Sequence, residues 1–157
     1  MDNFGFRDLR VYQSSKQLAV FICQLLKEFP PEESFALNSQ LRRAAVSVPS
    51  NIAEGMGRFS NKERVHFVEI AYGSLMEVLC QVEIALDLNY ISTDNYQEAE
   101  MLITSISKQL SRLRSSMLNQ QQESQMKGCS KTLDPRPSTL DYNYENRNHT
   151  TTQHSRP

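Results

Sequence analysis

Apolar residues recur along most of the chain at the three-and-four spacing that is typical of amphipathic helices. The first such stripe runs from Val11 to Phe29. It predicts a helix that ends at Phe29, because two prolines follow and a residue before proline is disfavoured in the α region. A second helix begins between Pro31 and Asn38, and its apolar face continues to Met56.

Two further helices follow after short polar connections. Ser60 and Glu63 fit the capping box that starts a helix, and the apolar stripe behind them continues to about residue 89. Ser92 or Thr93 caps the fourth helix, whose heptad seam ends at Met117. Four helices with short connections predict an all-α fold, an antiparallel up-down-up-down four-helix bundle.

The periodic pattern stops after residue 118. The remaining residues, 119–157, are rich in Gln, Asn, Ser and Thr with scattered proline. Such a segment buries too little apolar surface to offset its ordering entropy. The sequence therefore predicts two parts, a bundle domain over residues 1–118 and a disordered polar tail over residues 119–157.

Composition narrows the class of protein further. The chain has 5 glycines, 6 prolines and a formal net charge of −1, so it favours helices and has no global basic field. Three widely separated cysteines and no clustered histidines predict neither a disulfide framework nor a metal site. No apolar run approaches the roughly 20 residues of a membrane span, so we expect a cytoplasmic protein with no membrane contact.

The stretch VSVPSNIAEGMGRFSNK, residues 46–62, invites a reading as a phosphate-binding loop because Gly55 and Gly57 form a G-x-G. No strand is predicted before it, Ser60 stands in place of a third glycine, and no G-K-[ST] follows. The glycines instead predict the end of the second helix, with a left-handed residue there. Pro49, inside the helical pattern, predicts a kink.

The sequence contains few residues in the patterns that are typical of catalytic sites. Glu63 and His66 form one Glu-x-x-His pair of the di-iron kind, with no second pair to complete a site. Because His66 is the one histidine in the predicted bundle, no Ser-His-Asp triad is available there. We therefore expect a protein that is not an enzyme and that uses no cofactor.

Basic residues form the one grouping that stands out, and we take them as the candidate nucleic-acid-binding residues. They are Arg42, Arg43, Arg58, Lys62 and Arg64. Only Glu54 and Glu63 oppose them between positions 42 and 64, whereas residues 1–118 hold 12 basic and 14 acidic residues. Lys108, Arg112 and Arg114 form a second basic cluster. Such clusters bind phosphates, or they are solvated faces and ion pairs.

The sequence also resembles a known family over about residues 4–118. The resemblance rests on FRDLRVYQ at residues 6–13, Phe29-Pro30, QLRRAAVSVPSNIAEG at residues 40–55, Phe67, and AYGSLME at residues 71–77. These segments are similar to a bacterial four-helix bundle family that includes proteins encoded in intervening sequences of 23S ribosomal RNA genes.

The resemblance implies a left-handed four-helix bundle without catalytic activity, assembled as a homopentamer with a central channel. A related branch is the accessory variability protein of diversity-generating retroelements, which binds nucleic acid and a reverse transcriptase through a basic surface. Arg42, Arg43 and Arg58 match basic positions of the family pattern, whereas Lys62 and Arg64 rest on the charge argument. The long polar tail and the slightly acidic bundle depart from that pattern.

Two hypotheses of different class remain. In the first, the protein is a non-enzymatic homo-oligomer that holds RNA or DNA phosphates with its second-helix arginines. In the second, it is a protein-interaction scaffold or accessory subunit, with a partner such as a reverse transcriptase, in which the same residues form ion pairs between subunits. The cluster of charge supports both equally.

Overall fold

A computed structural model of the chain describes residues 4–30 and 36–129. A short 3-10 helix, Gly5–Asp8, precedes four α-helices. These are α1 (Arg10–Leu25), α2 (Leu37–Met56), α3 (Asn61–Asp87) and α4 (Thr93–Cys129). The described residues contain no strand, so the predicted all-α four-helix fold is confirmed.

The helices form a closed ring in which each packs against two neighbours: α1 on α2, α2 on α3, α3 on α4, and α4 on α1. Ser47 contacts Ser74, while Gly55, farther along α2, lies against Phe67, earlier in α3, so this pair runs antiparallel. One apolar core lies between the helices. Its largest fully buried side chains include Leu18, Ile22, Leu41, Ile52, Leu75, Ile106 and Leu110.

The first helix is shorter than predicted. It ends at Leu25, and not at Phe29, because the chain tightens into turns in which Lys27 N–H donates to the Gln24 carbonyl (3.1 Å) and Glu28 N–H to that of Leu25 (3.0 Å). Phe29 remains buried, and its ring lies 5.7 Å from that of Tyr90. Its apolar side chain therefore extended the helical pattern beyond the helix.

The predicted left-handed glycine at the end of α2 is wrong. Gly55 lies inside the helix, and Gly57, which follows it, has a φ of −79°. The left-handed residue is Asn89 (φ 58°), just after α3. There Tyr90 N–H donates to the Ala85 carbonyl and Asn89 N–H to that of Leu86, which is the Schellman pattern of helix ends.

The two predicted N-caps have different outcomes. Ser60 does precede α3, but its side chain makes no capping hydrogen bond, so the predicted capping box does not form; only its carbonyl is used, by Arg64 N–H. Ser92 precedes α4, and its Oγ accepts a hydrogen bond from Asn95 N–H (3.2 Å). This cap is confirmed.

The last helix extends beyond the predicted boundary at residue 118. Met117 and Leu118 still contact the core, and α4 continues to Cys129, so residues 119–129 are helical and the prediction of disorder is wrong for them. Residues 130–157 lie outside the described residues, and for them the disordered tail stays a prediction.

The third helix also corrects the expectation about apolar runs. By length and composition alone, Asn61–Asp87 is long and apolar enough to cross a membrane, with 33% of its most apolar window buried inside the protein. The core helix of a soluble protein passes the same test. Here Val68, Leu75 and Val82 are buried against the other helices, so part of this apolar character belongs to the core.

Candidate nucleic-acid interface

The structure separates the five predicted basic residues into two groups. Arg42 and Arg43 lie in the second turn of α2, whereas Arg58, Lys62 and Arg64 surround the turn between α2 and α3. At a rise of about 1.5 Å per helical residue, the two groups lie roughly 20 Å apart along α2. The five residues therefore do not form one continuous patch.

Arg42 and Arg43 are both exposed, and neither makes a hydrogen bond or ion pair within residues 4–30 and 36–129. They line an open cavity of about 520 Å³ on the outer surface of α2, facing α3. Its other lining residues are Gln40, Ala44, Val46, Ser47, Ser50 and Glu77. The Glu77 carboxylate accepts a hydrogen bond from Gln81 Nε2 (3.0 Å), so the acidic group on this wall already has one donor.

The serines of this cavity are held by hydrogen bonds around Pro49, which lies inside α2. Ser50 Oγ donates to the Val46 carbonyl (2.8 Å), and Asn51 Nδ2 donates to the Ser47 carbonyl (2.8 Å). These are the carbonyls next to the one that Pro49 leaves without its helical donor, that of Ala45. The wall of the cavity is therefore fixed by side chains that bond back onto their own helix.

Ser47 also joins the two helices beneath the cavity. Its hydroxyl lies 2.9 Å from the hydroxyl of Ser74 on α3 and accepts a hydrogen bond from Asn51 Nδ2 (2.9 Å). Because these hydrogen bonds hold Ser47 in place, Arg42 and Arg43 are the side chains of the cavity that can adapt to a ligand. A guanidinium has five N–H donors in a planar fork, which suits the oxygens of a phosphate.

Arg58 has a structural role in the turn between α2 and α3. Its guanidinium pairs with the Glu54 carboxylate one turn earlier and lies over the Phe67 ring, 4.8 Å from its centroid. Its backbone carbonyl accepts a hydrogen bond from Arg64 Nε (2.7 Å). Both Arg58 and Arg64 are thus engaged in holding the turn, although neither is fully buried.

Lys62 differs from its two neighbours. It is exposed in the first turn of α3, and no hydrogen bond or ion pair involves it in the part of the chain that the structure describes. Together with Arg42 and Arg43, it is one of three predicted site residues whose charge has no partner there. Arg58 is the one that Glu54 neutralises.

The second basic cluster is also divided. Arg114 Nε donates to Glu69 Oε1 across the α3–α4 contact (2.8 Å), whereas Lys108 and Arg112 line a cavity between α4 and α1. Arg10 lies on the same cavity. Sequence reasoning missed Arg10, although the antiparallel order of the bundle places the start of α1 beside the end of the α4 seam.

The described residues do not complete the di-iron site that the Glu63 and His66 pair suggested. Among the described residues, no three His, Cys, Asp or Glu side chains are arranged to hold a metal ion. His66 is exposed, and its ring lies 6.0 Å from that of Phe67 in an edge contact. Its geometry therefore indicates a surface residue.

A sequence model of the family described as 23S rRNA-intervening sequence protein matches residues 7–112. The chain belongs to this family. The match includes α1, α2, α3 and the first part of α4, up to Arg112, together with all five candidate residues. The family prediction made from the sequence segments is thus confirmed.

A solved structure supports the same assignment. It is the crystal structure of a protein with unknown function from the S23 ribosomal protein family of Bacteroides thetaiotaomicron, 26% identical to this chain, with a TM-score of 0.63. The alignment covers 66% of this chain and 97% of the Bacteroides protein. A comparison with curated proteins found no match.

Proposed function

We propose that this 23S rRNA-intervening sequence protein is a non-enzymatic, homo-oligomeric protein that binds nucleic acid, with Arg42 and Arg43 as its main phosphate contacts. One observation carries the proposal: two arginines adjacent in sequence are exposed, line one open cavity and have no carboxylate partner within the described residues. In a chain of net charge −1, such a local excess of positive charge attracts a polyanion at short range.

The surroundings of the arginines support phosphate as the ligand. The Gln40 amide on the same wall offers a neutral hydrogen-bond donor beside the charges. Phosphate contacts of this type fix a strand in place without reading its sequence. Binding through these two residues is therefore expected to depend strongly on salt and weakly on base sequence.

The turn at the other end of α2 contributes less. Lys62 has a free charge and extends the basic surface, whereas Arg58 and Arg64 already hold the turn through Glu54 and a backbone carbonyl. We assign Lys62 to a secondary phosphate contact. Arg58 and Arg64 contribute by holding the turn that precedes Lys62.

The proposal is tested by replacing both main contacts with neutral residues. Arg42→Gln with Arg43→Gln is expected to weaken binding of a labelled single-stranded RNA at least tenfold at low salt, as measured by fluorescence anisotropy. Lys16→Gln with Lys27→Gln is the matched control, because it removes the same charge from an exposed position of α1 and an exposed position of the turn after it. Equal losses in both variants would show that net charge, and not this site, determines binding.

A second candidate function has its own support. Exposed apolar side chains at Ile70, Ile84 and Leu88 lie on α3 and in the turn after it, at 38%, 42% and 48% exposure. They suit a contact with another protein, either further copies of this chain, up to the pentamer that the family resemblance implies, or a partner such as a reverse transcriptase. If the protein assembles but no RNA binds even at low salt, the scaffold function replaces the first proposal.

A further inference from the structure

A second cleft lies between α1 and α4 and encloses about 530 Å³. Three cationic side chains line it: Arg10 from the first turn of α1, and Lys108 and Arg112 from α4. Thr104 and Ser105 add hydroxyl groups to the same wall. The proposed function of Arg42 and Arg43 makes no use of these residues.

The position of this cleft follows from the packing of α1 on α4. Gln109 Nε2 lies within hydrogen-bonding distance of Ser14 Oγ on α1 (3.3 Å) and of Ser105 Oγ on α4 (3.2 Å), so one amide joins the two helices. Lys108 and Arg112 are four residues apart, so they lie on the same face of α4. Arg10, one turn before Ser14, therefore reaches the same space from the opposite wall.

The charges of the cleft are poorly balanced. Glu100 is its one acidic lining residue, and its carboxylate accepts a hydrogen bond from the Tyr96 hydroxyl (3.1 Å). The nearby Arg114 pairs with Glu69 on the α3 side. No ion pair neutralises Arg10, Lys108 or Arg112 among the residues that the structure describes. Like charges gathered in this way repel one another, which a bound anion relieves.

The shape of the cleft also suits an extended ligand. Its cavity is open to solvent along α4, from Glu100 and Met101 to Arg112, a span of about 17 Å at 1.5 Å per residue. Met101 is 68% exposed at one end and offers an apolar surface for a base. A single small anion needs far less length than this, whereas a nucleic-acid strand, which carries one phosphate per nucleotide, contacts several of the cations.

We propose that the α1–α4 cleft is a second phosphate-binding site, occupied by the sugar-phosphate backbone of a single nucleic-acid strand. It lies on the opposite side of the bundle from Arg42 and Arg43, because α1 and α4 form one side of the helix ring and α2 and α3 the other. Lys108 and Arg112 contact successive phosphates, and Arg10 approaches from α1. The site does not require Arg42 and Arg43 to bind.

The test uses the full chain and a fluorescently labelled 20-nucleotide poly(U) RNA. Lys108→Gln with Arg112→Gln is expected to weaken binding at least fivefold at low salt. Lys108→Arg with Arg112→Lys keeps both charges and is expected to stay within twofold of the unaltered protein. The exchanged side chains are exposed, so each variant is expected to retain its helices. Circular dichroism checks this.

The results separate this inference from the proposed function. An effect of Lys108→Gln with Arg112→Gln that persists when Arg42 and Arg43 are already replaced by Gln supports two independent sites. A loss in the Arg42 and Arg43 variant alone overturns the second site and leaves the proposed function intact. If inorganic phosphate competes with RNA only at the α1–α4 cleft, the second site is supported. If phosphate binds in the cleft and the RNA affinity does not change, the assignment of the cleft to nucleic acid is overturned.

Discussion

The role of Gly55 depends on a neighbouring helix and is not visible in its own stretch of sequence. A Cβ atom added at Gly55 lies 2.8 Å from Phe67 Cβ, closer than such atoms approach in proteins. The G-x-G pattern suggested the end of a helix, but the role of the glycine is to let α2 approach α3. That role depends on a residue of another helix, and no local pattern contains it.

We predict that Gly55→Ala destabilises the protein by about 1–2 kcal/mol, since overpacking outweighs the gain in helix propensity. Gly73→Ala is the matched control, because Gly73 is exposed inside α3 and an added Cβ meets no atom within 4 Å. It is expected to stabilise α3 by up to about 1 kcal/mol. Chemical denaturation at one protein concentration measures both. A similar change in the two variants would contradict the close approach.

The basic residues show a comparable limit of sequence reasoning. The exposure of Arg42 and Arg43 follows from their places on the polar face of the predicted helix, and the Arg58–Glu54 pair follows from i, i+4 spacing. The Arg114–Glu69 pair joins two helices and depends on how they pack. Local spacing therefore accounts for the pairing of Arg58, whereas the pairing of Arg114 was decided by a tertiary contact.

At the scale of elements, apolar periodicity predicted the number, order and approximate bounds of the helices. The predicted helix ends were the least accurate part. The stripe of α1 included Phe29, whose side chain is buried although its backbone has left the helix. In α4 the error is the reverse. Residues 119–129 include four Gln with one Glu, one Met and one Lys, which favour helix on propensity alone, without an apolar stripe to indicate it.

The exposed apolar side of α3 leads to a prediction about assembly. Ile84→Asp is expected to weaken self-association at least tenfold, because it places a charge beside the exposed side chain of Leu88, one helical turn away. Val20→Asp on α1 makes the same exchange at 52% exposure and is expected to leave assembly unchanged. Light scattering of the unaltered protein at micromolar concentration should show an oligomer. A monomer under those conditions would contradict this prediction.

For the whole molecule, the total charge of −1 conceals two regions of free positive charge on opposite sides of the bundle. Composition correctly excluded a general basic field, and the cluster in α2 was visible in the sequence. Lys108 and Arg112 were visible there as part of a second cluster, but their cleft with Arg10 was not, since these residues come from the two ends of the folded part and meet through the antiparallel return of α4 onto α1.

The most direct test of nucleic-acid binding is the salt dependence of RNA affinity in the unaltered protein. If Arg42 and Arg43 each neutralise one phosphate, the logarithm of the association constant should fall with the logarithm of salt concentration at a slope of about −1.4 or steeper, since each contact on a single strand contributes about −0.7. The Arg42→Gln, Arg43→Gln protein should lose that part of the slope. No binding at low salt, or an affinity that does not change with salt, would contradict the account.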